Sequence, residues 1–190
     1  MRNVNSSFNH ALNEISASSS GGAPFLICYG VTFVITGMLA FFLPRETSAL
    51  IAMFQGAVAL PAALWLERRM SKARTSPNNP LHKLSALMAV SQALALPFLI
   101  VFYNINPGQI PVVMAGLGGV HFLPYGWLHR TRVYIVLGIV VAIGSFGLVL
   151  WLQTAAYAYI LLLVGVAYWF AAPFVYKNAK RLLSDFDNKE

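Results

Sequence analysis

In 190 residues the chain carries 58% apolar side chains and only 10% charged ones, with thirteen Lys and Arg against six Asp and Glu for a formal charge of +7. Soluble domains hold about 25% charged residues, so a single compact water-soluble domain is excluded. No Asp, Glu, Lys or Arg lies between Lys83 and Arg130 or between Arg132 and Lys177, and each gap is long enough for two passages of the roughly 20 apolar residues that cross a bilayer.

Residues 1–23 form a polar leading segment that ends in Ser18-Ser19-Ser20-Gly21-Gly22. So long a polar stretch, with Arg2 as its one basic residue, argues against a cleaved signal peptide. Val4, Phe8, Ala11, Leu12 and Ile15 recur at helical spacing, which predicts an amphipathic helix lying on the inner membrane surface. A frayed tail is the alternative.

Six apolar spans follow, at about 24–43, 48–66, 84–103, 109–128, 133–152 and 157–176, making a transmembrane domain of 24–176 and leaving 177–190 as a basic tail. Alternating strand patterns of the membrane-barrel kind are absent, so the fold class is all-α integral membrane. With six passages and the amino terminus inside, Arg2, Arg68, Arg69, Lys72, Arg74, Lys83, Arg130, Arg132, Lys177, Lys180, Arg181 and Lys189 share one side and Arg45 alone falls on the other. Lys and Arg concentrate in cytoplasmic loops, so the predicted orientation has both termini cytoplasmic. The same placement explains the basic charge as membrane topology and sets nucleic acid aside. Outer connections are too short to hold a domain, and the longest inner loop, through Thr75-Ser76-Pro77-Asn78-Asn79-Pro80, has the composition of a solvated connector. Leu96-Pro97-Phe98 and Ala172-Pro173-Phe174 hint at an inverted three-plus-three duplication.

Cys28 is the one cysteine, which rules out an intramolecular disulfide and a cysteine-based zinc site. No acid lies inside a span, against a carboxylate-coupled carrier and against paired-acid catalysis. The polar groups left are amide, imidazole and hydroxyl. Gln92 lies nine residues after Lys83 and His121 nine before Arg130, so at helical rise both sit roughly 13 Å from the inner edge. They oppose each other across the hairpin of spans three and four if both face inward. Pro97 and Pro124 free the carbonyls of Ala93 and Val120 beside them. Tyr125 follows His121 by one turn, Ser91 adjoins Gln92, and Tyr168 shares the depth. These five, Gln92, His121, Tyr125, Ser91 and Tyr168, are the expected ligand-lining residues, with interhelical hydrogen bonding as the competing role. Gln55 is expected to be such glue. His82 and His129 are placed at solvated inner helix ends, and Trp65, Trp127 and Trp151 as interfacial anchors. Gly138, Ala142 and Ser145 form a small-residue stripe for close helix packing, within one chain or between chains, which keeps a homo-oligomer open. Neither a metal nor a cofactor is expected.

The run His121-Phe122-Leu123-Pro124-Tyr125-Gly126-Trp127-Leu128 and the entry Gly22-Ala23-Pro24-Phe25-Leu26 resemble an uncharacterised family of small multi-pass bacterial membrane proteins, a domain of unknown function, over nearly the whole chain. The resemblance implies a bacterial cytoplasmic (inner) membrane and brings no activity. The first functional expectation is therefore a transporter or channel whose cytoplasm-facing polar cavity binds or passes a small or amphiphilic solute, with membrane lipids as surroundings and a small-molecule or lipid-like ligand as partner. A non-catalytic scaffold or assembly protein comes next. An intramembrane enzyme with His121 as general acid or base comes last, since it needs Ser91 within reach as nucleophile.

Overall fold

A computed structural model describes residues 2–71, 76 and 78–187, with side chains from Ser7 to Ser184. Of the residues named above, Lys72, Arg74, Thr75, Pro77 and Lys189 lie outside the described residues. Among the described residues nine α-helices run in order: α1 Arg2–Ser18, α2 Ala23–Leu39, α3 Arg45–Phe54, α4 Gly56–Met70, α5 His82–Ala93, α6 Leu96–Ile105, α7 Ile110–Leu128, α8 Val133–Leu152 and α9 Ala156–Asp187. Prolines in the first turn begin α2, α6 and α7, where a missing N–H costs nothing.

Four stretches, Ser20–Leu39, Arg45–Met70, His82–Ile105 and Val133–Ser184, are long and apolar enough to cross a membrane. The fourth spans 52 residues and folds back on itself at Gln153, whose φ of 50° ends α8, so α9 returns alongside α8. α7 has 19 residues, and its glycines, His121 and Pro124 dilute an otherwise apolar face. The second and third expected spans are each broken in two. α3 gives way to α4 at Gln55. α5 stops ahead of Leu94-Ala95, where the ring of Pro97 cannot sit over the carbonyl of Ala93. Pro173 lies inside an unbroken α9, so the two similar tripeptides act differently. The segment expected as a tail continues α9 as helix through Asp187.

Two glycine crossings hold the bundle together. A β-carbon on Gly138 would meet the carbonyl oxygen of Gly119 at 2.5 Å, and one on Gly119 would meet Ala142 Cβ at 2.7 Å. The small-residue stripe is thus used between α7 and α8 of one chain. At the second crossing, between α2 and α9, a β-carbon on Gly165 would lie 2.8 Å from the Gly30 oxygen. Lipid offers no hydrophobic drive between helices, so close backbone approach at small residues supplies the van der Waals contact. By contrast α5 buries no residue, and Leu87, Val90, Leu94, Phe98, Val101 and Ile105 stand exposed along α5 and α6.

α1 departs from expectation in what it touches. It is helical, but Ala11, Leu12 and Ile15 are buried with Leu81 and Leu128 rather than laid on a membrane surface. Phe8 of the same face stays exposed, and polar groups fix the helix where it docks. Asn79 Nδ2 donates to the Ala11 oxygen at 3.0 Å and to Glu14 Oε2 at 2.9 Å, and Arg130 Nη1 donates to Asn13 Oδ1 at 3.0 Å. Backbone N–H of Ser76 donates to Glu14, and the Ser71 hydroxyl to the Ser18 oxygen. The end of α4, the start of α5, the turn after α7 and the end of α9 gather at this basic end. At the other end Arg45 Nη2 donates to the Thr154 oxygen at 3.2 Å.

Candidate functional site

The expected lining residues separate into two groups. Gln92 and Ser91 lie exposed on α5, where the Ser91 hydroxyl donates to the Met88 oxygen at 2.7 Å. The expected inward-facing Gln92 is therefore not what α5 provides, since a helix that buries nothing turns no residue into a core. His121 and Tyr125 do come together: both are half-buried, and their rings meet edge-on at 5.0 Å, as one-turn spacing on α7 dictates. Tyr168 is buried at the same level, clamped edge-to-face between Phe33 at 5.6 Å and Phe122 at 5.3 Å. Aromatic rings thus surround Tyr168. Such edge contacts each add about 1 kcal/mol beyond area burial. Gln55 is buried at the α3–α4 break, but its amide has no hydrogen-bond partner among the described residues, so it does not act as glue there. Trp65, Trp127 and Trp151 are exposed.

The aromatic chain continues toward the basic end through residues that sequence reasoning missed. His129 was expected to be solvated, yet it is 3% exposed. Tyr125 stacks on it at 5.7 Å with the rings 8° from parallel, and Tyr134 lies 5.4 Å away. Burial draws on α9, the start of α8 and the turn between α1 and α2. Asn178 of α9 donates to the His129 oxygen at 3.1 Å. The Tyr134 hydroxyl, in the first turn of α8, donates to the Gly21 oxygen. Gly21 and Gly22 turn the chain from α1 into α2 with φ of 66° and 78°, values that favour glycine. A β-carbon on Gly22 would collide with the Tyr134 hydroxyl. Removal from water disfavours the imidazolium and lowers the His129 pKa to about 4. Its Nδ1 has no hydrogen-bond partner among the described residues. The sequence did carry a signal for this clasp: two glycines between a polar helix and a proline-initiated span mark a tight turn, though nothing in them names the tyrosine that closes it.

Chemically the cluster consists of a neutral imidazole, phenols and backbone carbonyls. The described residues hold no group of three His, Cys, Asp or Glu placed to share a metal ion. Two grooves open on the surface instead. One is apolar, about 290 Å³, between Ala23, Ile27, Met70, Trp169 and Tyr176. The other is basic, about 580 Å³, along the end of α9 and the start of α8.

Residues 8–178 match the family described as a family of unknown function, DUF7010. The chain belongs to that family. No match is found among the curated proteins or among the solved structures. Membership in DUF7010 covers every helix from α1 to most of α9, so the clasp at Gly21-Gly22, His129 and Tyr134 lies within the family's own span.

Proposed function

We propose that this DUF7010 protein is a six-span protein of a bacterial inner membrane, both termini cytoplasmic, that acts as a non-catalytic scaffold or assembly protein through its surfaces. The observation that carries this is the filled interior: Phe33, Tyr168, Phe122 and Tyr134 follow one another at 5.3 to 5.7 Å where a solute path would need open polar space. The orientation draws on charge placement. Arg68, Arg69, Lys83, Arg130, Arg132, Lys177, Lys180 and Arg181 gather at the end where α1 docks, and Arg45 lies at the other.

A solute path through Gln92, His121, Tyr125, Ser91 and Tyr168 has one observation of its own. Because α5 buries nothing, little packing holds this half of the broken third span against the half-buried His121 and Tyr125, and its movement would open that face. An enzyme built on His121 lacks a partner, since Ser91 is exposed and bonded to Met88.

Cysteine accessibility separates these. In a Cys28→Ala background, Val164→Cys places a thiol of similar bulk one turn from Tyr168 at a position 1% exposed. Ser76→Cys provides an exposed control. A membrane-impermeant maleimide applied to opened membrane vesicles is expected to modify position 76 and leave position 164 unmodified. Modification of position 164 at a rate near that of position 76 would replace the scaffold with a water-accessible path.

A further inference from the structure

The basic groove has the make-up of a lipid headgroup site. Phe174, Lys177, Arg181 and Ser184 follow one another along a single face of α9, and Thr131 and Val133 form the opposite wall at the start of α8. Lys180 joins them, its ammonium 4.5 Å from the Tyr176 ring. The groove is therefore graded along its length. Phe174, 60% exposed, and Val133 face the apolar band of the bundle, while three cations and two hydroxyls lie beyond it. Among the residues whose side chains are described, none that lines it is acidic. The amino terminus of α8 opens beside it at Thr131–Val133 and adds the positive end of its macrodipole. Asn178, the remaining polar wall residue, has its amide nitrogen held by the His129 oxygen.

We infer that this groove binds the phosphate of an anionic phospholipid, with Lys177, Lys180 and Arg181 around the phosphate and Phe174 and Val133 against the first carbons of the acyl chains. A soluble phosphate would gain from the cations but not from the exposed Phe174, and it is the grading from apolar to basic that favours the lipid. Basic pockets between helices on the cytoplasmic side are where anionic headgroups are held. The inference rests on the membrane reading above and names one partner for it.

The test uses the full chain, purified in a neutral detergent, with its thermal midpoint followed as short-chain phosphatidylglycerol, phosphatidylcholine or inorganic phosphate is added. Phosphatidylglycerol is expected to raise the midpoint, and the other two are not. Each cation near an anionic lipid contributes about fivefold in affinity, so Lys177→Gln/Lys180→Gln/Arg181→Gln should weaken phosphatidylglycerol about a hundredfold. Lys177→Gln/Arg181→Gln, which leaves the Lys180–Tyr176 contact intact, should weaken it about 25-fold and covers the case in which the triple variant folds poorly. The control Arg68→Gln/Arg69→Gln/Lys83→Gln removes the same charge elsewhere at the same end and should change the response less than threefold. Equal loss in the control, an equal shift with phosphatidylcholine, or an equal shift with inorganic phosphate would each overturn the site. Carbonate-resistant pelleting with membranes, measured for all variants, reports on the membrane reading separately: a chain that pellets yet ignores phosphatidylglycerol refutes the groove alone.

Discussion

The α7–α8 pair and the broken span α5–α6 are both built from apolar sequence, but they join the bundle in opposite ways. Gly119, Gly138 and Ala142 let the backbones of α7 and α8 touch, while α5 carries Leu84, Leu87 and Val90 outward and buries nothing. Apolarity alone therefore sets how much chain can enter a membrane. What holds one helix to another is the absence of side chains at the crossing, because in lipid a leucine gains nothing by leaving one apolar neighbour for another.

The largest effect that this contrast predicts is at Gly138. A valine there would drive a β-carbon into the Gly119 carbonyl, and neither backbone can yield without parting the helices. Gly138→Val is expected to cost about 3 kcal/mol, the upper part of the range for overpacking. Ala93→Val, on exposed α5, should stay within about 0.5 kcal/mol of wild type. Denaturant unfolding in micelles compares the two directly. Equal costs would mean that the glycine crossing is no tighter than exposed α5.

The same contrast explains which features were legible in the sequence. The apolar runs and the small-residue stripe are local properties, and the four long apolar stretches and the α7–α8 crossing among the described residues are their counterparts. The burial of His129 was not legible because Gly21-Gly22 and Asn178, both remote in the sequence, close over it beside the nearby Tyr134. α1 was legible as an amphipathic helix but not in its target, since lipid and the Leu81–Leu128 surface are equally apolar and only the Asn79–Glu14 contacts choose between them. The exposure of Gln92 on α5 has a related reason. Depth follows from counting residues, whereas the direction of a side chain around its helix depends on packing that α5 does not have.

A second, smaller effect concerns pH and the clasp at the basic end. With its pKa lowered to about 4, His129 stays neutral in the fold while the unfolded chain takes up a proton below about 6.5. Above pH 6.5 both states are neutral and His129 adds no pH dependence. Between 6.5 and 4 the unfolded state binds the extra proton, so stability falls as pH falls. From pH 7.5 to 5.5 the expected loss from this group is about 1 kcal/mol. His129→Gln, which cannot titrate, should remove that part of the slope, and Ala93→Val should leave it unchanged. An unaltered slope in His129→Gln would show that the imidazole is not shielded by the clasp.

The smallest expected effect is also the one that decides between a filled interior and a polar path. If Gln92 and His121 formed an interhelical pair, removing either would forfeit the same bond, and the double variant would cost less than the sum of the singles by about 0.6 kcal/mol. Gln92 is exposed on α5 and His121 finds its contact in Tyr125 of its own helix, so the two are expected to act independently. Gln92→Ala and His121→Leu should then add to within about 0.3 kcal/mol in a double-mutant cycle. His121→Gln retains a donor and an acceptor but loses the ring that meets Tyr125 edge-on, so on this account it should cost as much as His121→Leu. A polar path predicts the reverse order: His121→Gln tolerated, His121→Leu impaired, and a coupling to Gln92 beyond the additive limit. The aromatic contact and the polar path thus differ in the sign of the Gln–Leu difference at position 121, a readout that does not depend on knowing any solute.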